Sequence, residues 1–171
     1  VEKMRNLEGP TAYMVGGDVD VNKFANDMSL QLIIKRLEEL VPGDDISNLV
    51  PHGDFDVEAY KNKLANYIKA VRTPTLRKLL ETIFSGNTYD AFVHNPAGMK
   101  LHHAYIGGLL QHSIDVTELA VAMADRIEDV DKDLIIAGAL LHDIGKIKEI
   151  SSEIGFPYTN AGRFMGHIAM T

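Results

Sequence analysis

The stretch from Asp131 to Lys148, DKDLIIAGALLHDIGKIK, most constrains what this chain can fold into. It predicts a helix that is apolar on nearly every side and therefore lies inside a domain. The helix runs into the adjacent ionisable residues His142 and Asp143, and Gly145 is expected to supply a left-handed C-terminal turn. Burying an imidazole beside a carboxylate costs free energy unless a partner replaces the lost water, and a metal cation compensates both groups. The stretch therefore predicts a metal site.

Composition narrows the chemistry of such a site. The chain has 171 residues, enough for one domain or for one domain with part of another. It has no cysteine, so any metal must be held by His, Asp or Glu. Such ligands suit Mn²⁺, Fe²⁺, Co²⁺, Ni²⁺, Mg²⁺ or a His-rich Zn²⁺ site, with Mn²⁺ as the leading expectation. The net charge of -7 argues against nucleic-acid binding by bulk electrostatics, although a local basic groove is compatible with it.

Nothing in the sequence predicts membrane insertion or secretion. No apolar run approaches about 18 residues, and no charged leader precedes an apolar segment. A cytoplasmic protein without a membrane partner is the expectation. Because the chain begins at Val1 and ends at Thr171 within a predicted helix, we expect a piece of a longer protein.

Residues 1–41 have a different pattern from the rest of the chain. Residues 13–24 and 29–40 alternate between polar and β-branched or apolar side chains, which predicts a hairpin with its turn at residues 25–28. A lone hairpin is marginally stable in water, so it fits either the end of a larger β domain or a ribbon packed on helices. Residues 42–55, rich in Pro, Gly and Asp, predict a linker.

From residue 56 to 171 the apolar spacing is helical, which predicts an orthogonal helical bundle. Asp56 is a predicted N-cap, and Thr73-Pro74 starts a second helix in the preferred order. These two helices are expected to bury Val57, Tyr60, Leu64, Ile68 and Val71, and then Leu76, Leu79, Leu80, Ile83 and Phe84.

A long helix is predicted over residues 105–128, and His112 lies on its expected inward stripe. That stripe comprises Leu109, Val116, Leu119, Ala120, Met123 and Ile127. A lone core histidine is more often structural than a ligand. The His142-Asp143 pair on a second helix favours the ligand interpretation, because helical proteins build metal sites from facing helices. The two oxygens of Asp143 would allow it to ligate one metal and bridge to another.

The spacing of His112 and then His-Asp-Ile-Gly-Lys at residues 142–146 resembles the signature of the HD superfamily of metal-dependent phosphohydrolases. Residues 102–116, 137–146 and 156–168 are further similar to the YhaM-type 3′-to-5′ exoribonucleases. The resemblance implies an all-helical HD domain at residues 56–171 that holds one or two divalent metals. It also implies that residues 1–41 are the last strands of an OB-like, nucleic-acid-binding domain.

Residue by residue, the resemblance implies metal ligands at His112, His142, Asp143 and His167. Asp143 and Lys146 would be the catalytic residues, with Lys146 near the scissile phosphate. A further His and a closing Asp would lie downstream of Thr171, which would leave the HD domain C-terminally incomplete.

The substrate contacts suggested by the resemblance are His102, His103 and Lys146. Arg163 is a further candidate, because it lies four residues before His167 and is expected to face the same cleft. An exposed helix start is an equal alternative for the two histidines, and a solvated side chain is the simpler one for Arg163. No nucleophilic Ser or Cys is in evidence, so a metal-activated water is the expected nucleophile.

Three functions stay open at this point. The first is an exoribonuclease that releases nucleoside monophosphates from single-stranded RNA or DNA. The second is an HD phosphohydrolase of small or cyclic nucleotides, and the third is a non-catalytic HD module that regulates a partner. A homo-oligomer is compatible with each of them.

Overall fold

The computed structural model describes residues 13–24, 29–40, 49–100 and 102–171. The chain divides into two compact units, Val1–Leu49 and Val50–Thr171. The predicted hairpin turn at residues 25–28, residues 42–48 of the predicted linker and residues 1–12 of the predicted β segment lie outside the described residues. No helix in the described ranges is long and apolar enough to cross a membrane.

The first unit contains the predicted hairpin. Strand β1, Tyr13–Val21, pairs antiparallel with β2, Leu30–Glu39. The register places Tyr13 opposite Glu39 and Val21 opposite Leu30, with an irregularity between Gly16 and Gly17. The small β element is therefore confirmed, while its membership of an OB-like domain stays a prediction.

The second unit is helical, as predicted. Its helices are α1 (Val57–Ala70), α2 (Pro74–Ile83), α3 (Gly86–His94), α4 (Gly108–Ala124), α5 (Lys132–Leu141), α6 (Lys146–Glu149) and α7 (Asn160–Met170). Asp56, Asp131 and Thr159 cap α1, α5 and α7 by accepting backbone N–H groups of the first turn. Pro74 occupies the first turn of α2, where its missing N–H costs nothing.

The core of this unit forms where α4 packs against α1, α3 and α5. Its fully buried side chains include Leu64, Val71, Leu80, Phe92, Leu109, Leu110, Ile114 and Leu140. Phe84 and Phe92 meet edge to face, with ring centroids 4.8 Å apart. The packing of α4 on α5 places the second turn of α4 beside the C-terminus of α5.

The predicted inward face of α4 is confirmed at Leu109, which is fully buried, but is wrong further along the helix. Leu119 and Met123 are both 67% exposed, whereas Ser113 and Thr117 are fully buried. The Thr117 hydroxyl donates to the Ser113 carbonyl, which satisfies this polar side chain on the buried face, whereas the Ser113 hydroxyl has no hydrogen-bond partner among the described residues. The hydrophobicity of the side chains alone had predicted that the opposite side of α4 faces the core. Leu79, also expected to be inward on α2, is 46% exposed.

Gly145 does not take the predicted left-handed conformation. Its φ of -60° and ψ of -20° are right-handed helical values. A Cβ at this position would lie 2.2 Å from the carbonyl oxygen of His167. The glycine is therefore needed for the close approach of α7 to the turn between α5 and α6.

Candidate metal centre

Four elements deliver the side chains of the candidate site. His112 lies in the second turn of α4, and His142 caps the C-terminus of α5. Asp143 lies in the turn that joins α5 to α6, and His167 lies in α7. The packing of α4 on α5 brings His112 and His142 together although they are 30 positions apart.

Three of these side chains converge on one point. The Nε2 atoms of His112 and His142 lie 3.3 Å from each other, and each lies 3.3 Å from Asp143 Oδ2. Possible ligand atoms of the three residues all lie within 4.8 Å of one another. Asp143 is only 5% exposed, so its carboxylate depends on these neighbours for stabilisation.

The donor set fits a divalent cation. His142 Nδ1 lies 2.8 Å from the Ala139 carbonyl oxygen, which only accepts, so Nδ1 carries a hydrogen. In the neutral ring the Nε2 lone pair then faces Asp143 Oδ2 and His112 Nε2. Such a convergence of lone pairs is stabilised by a proton or by a metal ion. His112, His142 and Asp143 could thus hold a first-row divalent metal.

The charges at this point are strongly coupled. The hydrogen bond to Asp143 is the main cause that raises the pKa of His142. Burial alone would raise the pKa of Asp143, but hydrogen bonds from His112, His142 and Lys146 hold it well below its ordinary value. Lys146 Nζ lies 2.8 Å from Asp143 Oδ2. The carboxylate is therefore ionised at neutral pH and attracts cations.

The second oxygen of Asp143 faces a different histidine. Asp143 Oδ1 lies 3.4 Å from His167 Nε2, whereas the contacts with His112 and His142 are made by Oδ2. His167 Nδ1 in turn lies 2.9 Å from Glu149 Oε2. A carboxylate whose two oxygens face separate imidazoles has the arrangement needed to bridge two cations.

Residues 109–171 match the family model of the HD domain. The match begins three residues before His112 and takes in His142, Asp143 and His167. No solved structure matches the chain. The match to the HD-domain model, together with the cluster of His112, His142 and Asp143, supports the metal-dependent phosphohydrolase that the sequence predicts.

His102 and His103 both lie beside the cluster of His112, His142 and Asp143. Their ring centroids are 5.6 Å and 5.3 Å from that of His112. Burial lowers the pKa of His103, whose backbone has a positive φ of 54°. Their predicted role as substrate contacts stays a prediction, but both rings are close enough to border a substrate held at the cluster.

Arg163 was predicted to share a face with His167 because the two are four residues apart. Helix α7 is interrupted between them at Gly166, with φ 71° and ψ 157°. The regular helical spacing on which that prediction depends is therefore absent. The Arg163 residue is exposed on α7, and its role as a phosphate contact stays a prediction.

Sequence reasoning overlooked two acidic residues near the site. Asp115 Oδ1 accepts a hydrogen bond from the Tyr60 hydroxyl at 2.8 Å, and Oδ2 lies 3.8 Å from His103 Nε2. Its position three residues after His112 on one helix was a usable signal. Glu149 is buried although it is charged, and its position between Ile147 and Ile150 could have suggested this.

Proposed function

We propose that this protein is a metal-dependent phosphodiesterase that degrades single-stranded RNA from the 3′ end and releases nucleoside monophosphates. The observation that carries the proposal is the position of Asp143, whose Oδ2 faces His112 and His142 and whose Oδ1 faces His167. The similarity of residues 102–116 and 156–168 to YhaM-type exoribonucleases supports the choice of substrate.

The chain's own residues would supply the cation site and the surrounding charge. His112, His142 and Asp143 would hold one divalent ion, and His167 with Asp143 Oδ1 would contribute to a second. A divalent metal supplies Lewis acidity and lowers the pKa of a bound water toward about 7. Mn²⁺ suits this mixture of imidazole and carboxylate ligands.

Lys146 would stabilise the negative charge that develops on the phosphoryl oxygens during hydrolysis. Its ammonium group is 2.8 Å from Asp143 Oδ2, and its side chain is only 12% exposed. A partly desolvated cation at a fixed position stabilises a transition state better than a mobile surface lysine, since it needs little reorganisation. His102 and His103 would border the substrate on the α4 side.

The direct test uses purified protein with Mn²⁺ and single-stranded oligoribonucleotides labelled at the 3′ or the 5′ end. We expect immediate release of the 3′ label as mononucleotide and a 5′-labelled ladder that shortens from the 3′ end. Asp143→Ala should abolish both signals, whereas Asp90→Ala, a change at an exposed residue of α3, should not.

Small substrates assayed in parallel decide between the classes of function. Hydrolysis of mononucleotides or cyclic dinucleotides with intact oligomers would contradict the exoribonuclease proposal and assign the protein to the second class. Bound Mn²⁺ without hydrolysis of any of these substrates would instead indicate a regulatory HD module.

A further inference from the structure

Glu149 is a buried carboxylate that the proposed hydrolysis does not use. It is the last residue of α6, and it is 7% exposed. Removing a carboxylate from water is costly unless hydrogen-bond donors replace the lost solvent. The donors that Glu149 meets therefore indicate what it does.

Both oxygens of this carboxylate are engaged by one residue, His167. Glu149 Oε1 accepts the backbone N–H of His167 at 3.0 Å, and Oε2 lies 2.9 Å from the Nδ1 atom of the same residue. Because a carboxylate oxygen accepts, the imidazole donates from Nδ1. In the neutral ring Nε2 then carries the lone pair, and it faces Asp143 Oδ1 at 3.4 Å.

The backbone of α7 is adapted to this double contact. Gly166 has φ 71° and ψ 157°, and this break in the helix precedes the N–H group that Glu149 accepts. A Cβ on Gly162 would lie 2.3 Å from the Glu149 carbonyl oxygen, so α7 approaches α6 closely here. The Thr159 N–H also donates to that carbonyl, at 2.9 Å. Main-chain and side-chain contacts thus fix Glu149 against α7.

We propose that Glu149 is a positioning residue that holds His167 as its Nδ1–H tautomer and directs Nε2 to a divalent cation on the Oδ1 side of Asp143. The inference rests on the proposed function, in which such a cation is bound. The opposite tautomer would donate from Nε2 to Asp143 and would have no lone pair for a metal. Carboxylates that orient metal-binding histidines in this way set both the tautomer and the ring direction.

The first measurement uses the wild-type protein alone. Uniformly ¹⁵N-labelled protein, freed of metal by chelation, is examined by two-bond ¹H–¹⁵N spectra above the ordinary histidine pKa of about 6.5. The His167 signals are identified by their loss in His167→Gln. We expect the Nδ1–H tautomer, and an Nε2–H tautomer or an even mixture would overturn the inference without any Glu149 variant being made.

The second measurement compares Glu149→Gln with Glu153→Gln, a change at an exposed glutamate of the following loop. The Gln amide keeps the shape but removes one of the two acceptor oxygens. We expect Glu149→Gln to lose the single His167 tautomer and to weaken Mn²⁺ binding by about 10- to 100-fold, with Glu153→Gln unchanged. An unchanged tautomer and unchanged Mn²⁺ affinity in a folded Glu149→Gln protein would overturn the inference.

Failure of the proposed role of Glu149 can be distinguished from failure of the proposed function. If the wild type binds Mn²⁺ and hydrolyses its substrate while His167 is the Nε2–H tautomer, only the role of Glu149 is overturned. If the wild type shows the expected tautomer but takes up no Mn²⁺, the proposed function fails, and the cation-directed role of Glu149 fails with it.

Discussion

His112 Nε2 and His142 Nε2 lie 3.3 Å apart, although their residues are separated by 30 positions in the chain. The two imidazoles come from different helices, and both point at the same oxygen of Asp143. Neither α4 nor α5 alone supplies both histidines of the site. The packing of α4 on α5 therefore creates the centre, and changes to that packing should affect the metal as well as the fold.

Metal affinity should fall as the pH is lowered. In the metal-free protein the hydrogen bond to Asp143 raises the pKa of His142 above its ordinary 6.5, so the proton competes with the cation for Nε2. We expect Mn²⁺ affinity to be highest above the raised pKa and to decline as pH falls through it, with proton release on binding. Titration calorimetry in buffers of different ionisation enthalpy measures both the Mn²⁺ affinity and the number of protons released. Affinity that does not change between pH 8 and about pH 6 would contradict the assignment.

The raised pKa of His142 also makes the stability of the metal-free protein depend on pH. The direction is opposite to that of metal affinity, because stability falls as the pH rises. A pKa raised on folding means that protonated His142 stabilises the fold. That contribution is fully present below 6.5 and is lost as pH rises through the folded-state pKa. The free energy of unfolding of the wild type, compared with that of His142→Gln, should show this loss in the chelated protein. A stability difference independent of pH would show that His142 gains nothing from Asp143.

The buried face of α4 can be tested with two leucines on one helix. Leu110 is fully buried, whereas Leu119 is 67% exposed. We expect Leu110→Ala to lower the free energy of unfolding by about 2–5 kcal/mol, because it leaves a cavity in the core. Leu119→Ala should change it by about 0.5 kcal/mol or less. Urea denaturation followed by circular dichroism gives both values, and a larger loss for Leu119→Ala would contradict the described packing.

Asp133 should stabilise the junction between α1 and α2 in a pH-dependent manner. Its Oδ2 accepts the backbone N–H groups of Arg72 and Thr73 and the Thr73 hydroxyl, and these bonds lower its pKa. A depressed pKa stabilises the fold above the ordinary value of 3.8, and this contribution is lost as pH falls through the folded-state pKa.

Asp133→Ala should therefore be less stable than the wild type at neutral pH, and the difference should shrink as the solution becomes acidic. Thermal unfolding at several pH values measures the change, with the exposed Asp54→Ala as the matched control. A deficit that stays constant down to strongly acidic pH would contradict the role of ionised Asp133.

Much of the site could be predicted from the sequence, because ionisable side chains such as those of His142 and Asp143 are rare inside a domain. His142 and Asp143 at the end of an apolar helix required a partner, and the spacing to His112 completed the resemblance to HD proteins. Helix starts at Asp56 and Thr73-Pro74 were also readable, because capping depends on local residue types.

The features that could not be predicted from the sequence depend on three-dimensional packing. The burial of Thr117 depends on a hydrogen bond from its hydroxyl to a main-chain carbonyl of α4, which hydrophobic periodicity does not detect. The function of Gly145 depends on how closely His167 approaches it. Glu149 was missed because its partner lies 18 residues later, across a break in α7 at Gly166.

The measurement that tests the central claim most directly is the metal content of the wild type and of Asp143→Ala after exposure to Mn²⁺ and removal of free ions. His94→Ala, a change at an exposed histidine at the end of α3, serves as the control. We predict bound Mn²⁺ in the wild type and in His94→Ala, and none in a folded Asp143→Ala protein. Equal metal content in all three proteins would show that the cluster of His112, His142 and Asp143 is not the metal centre.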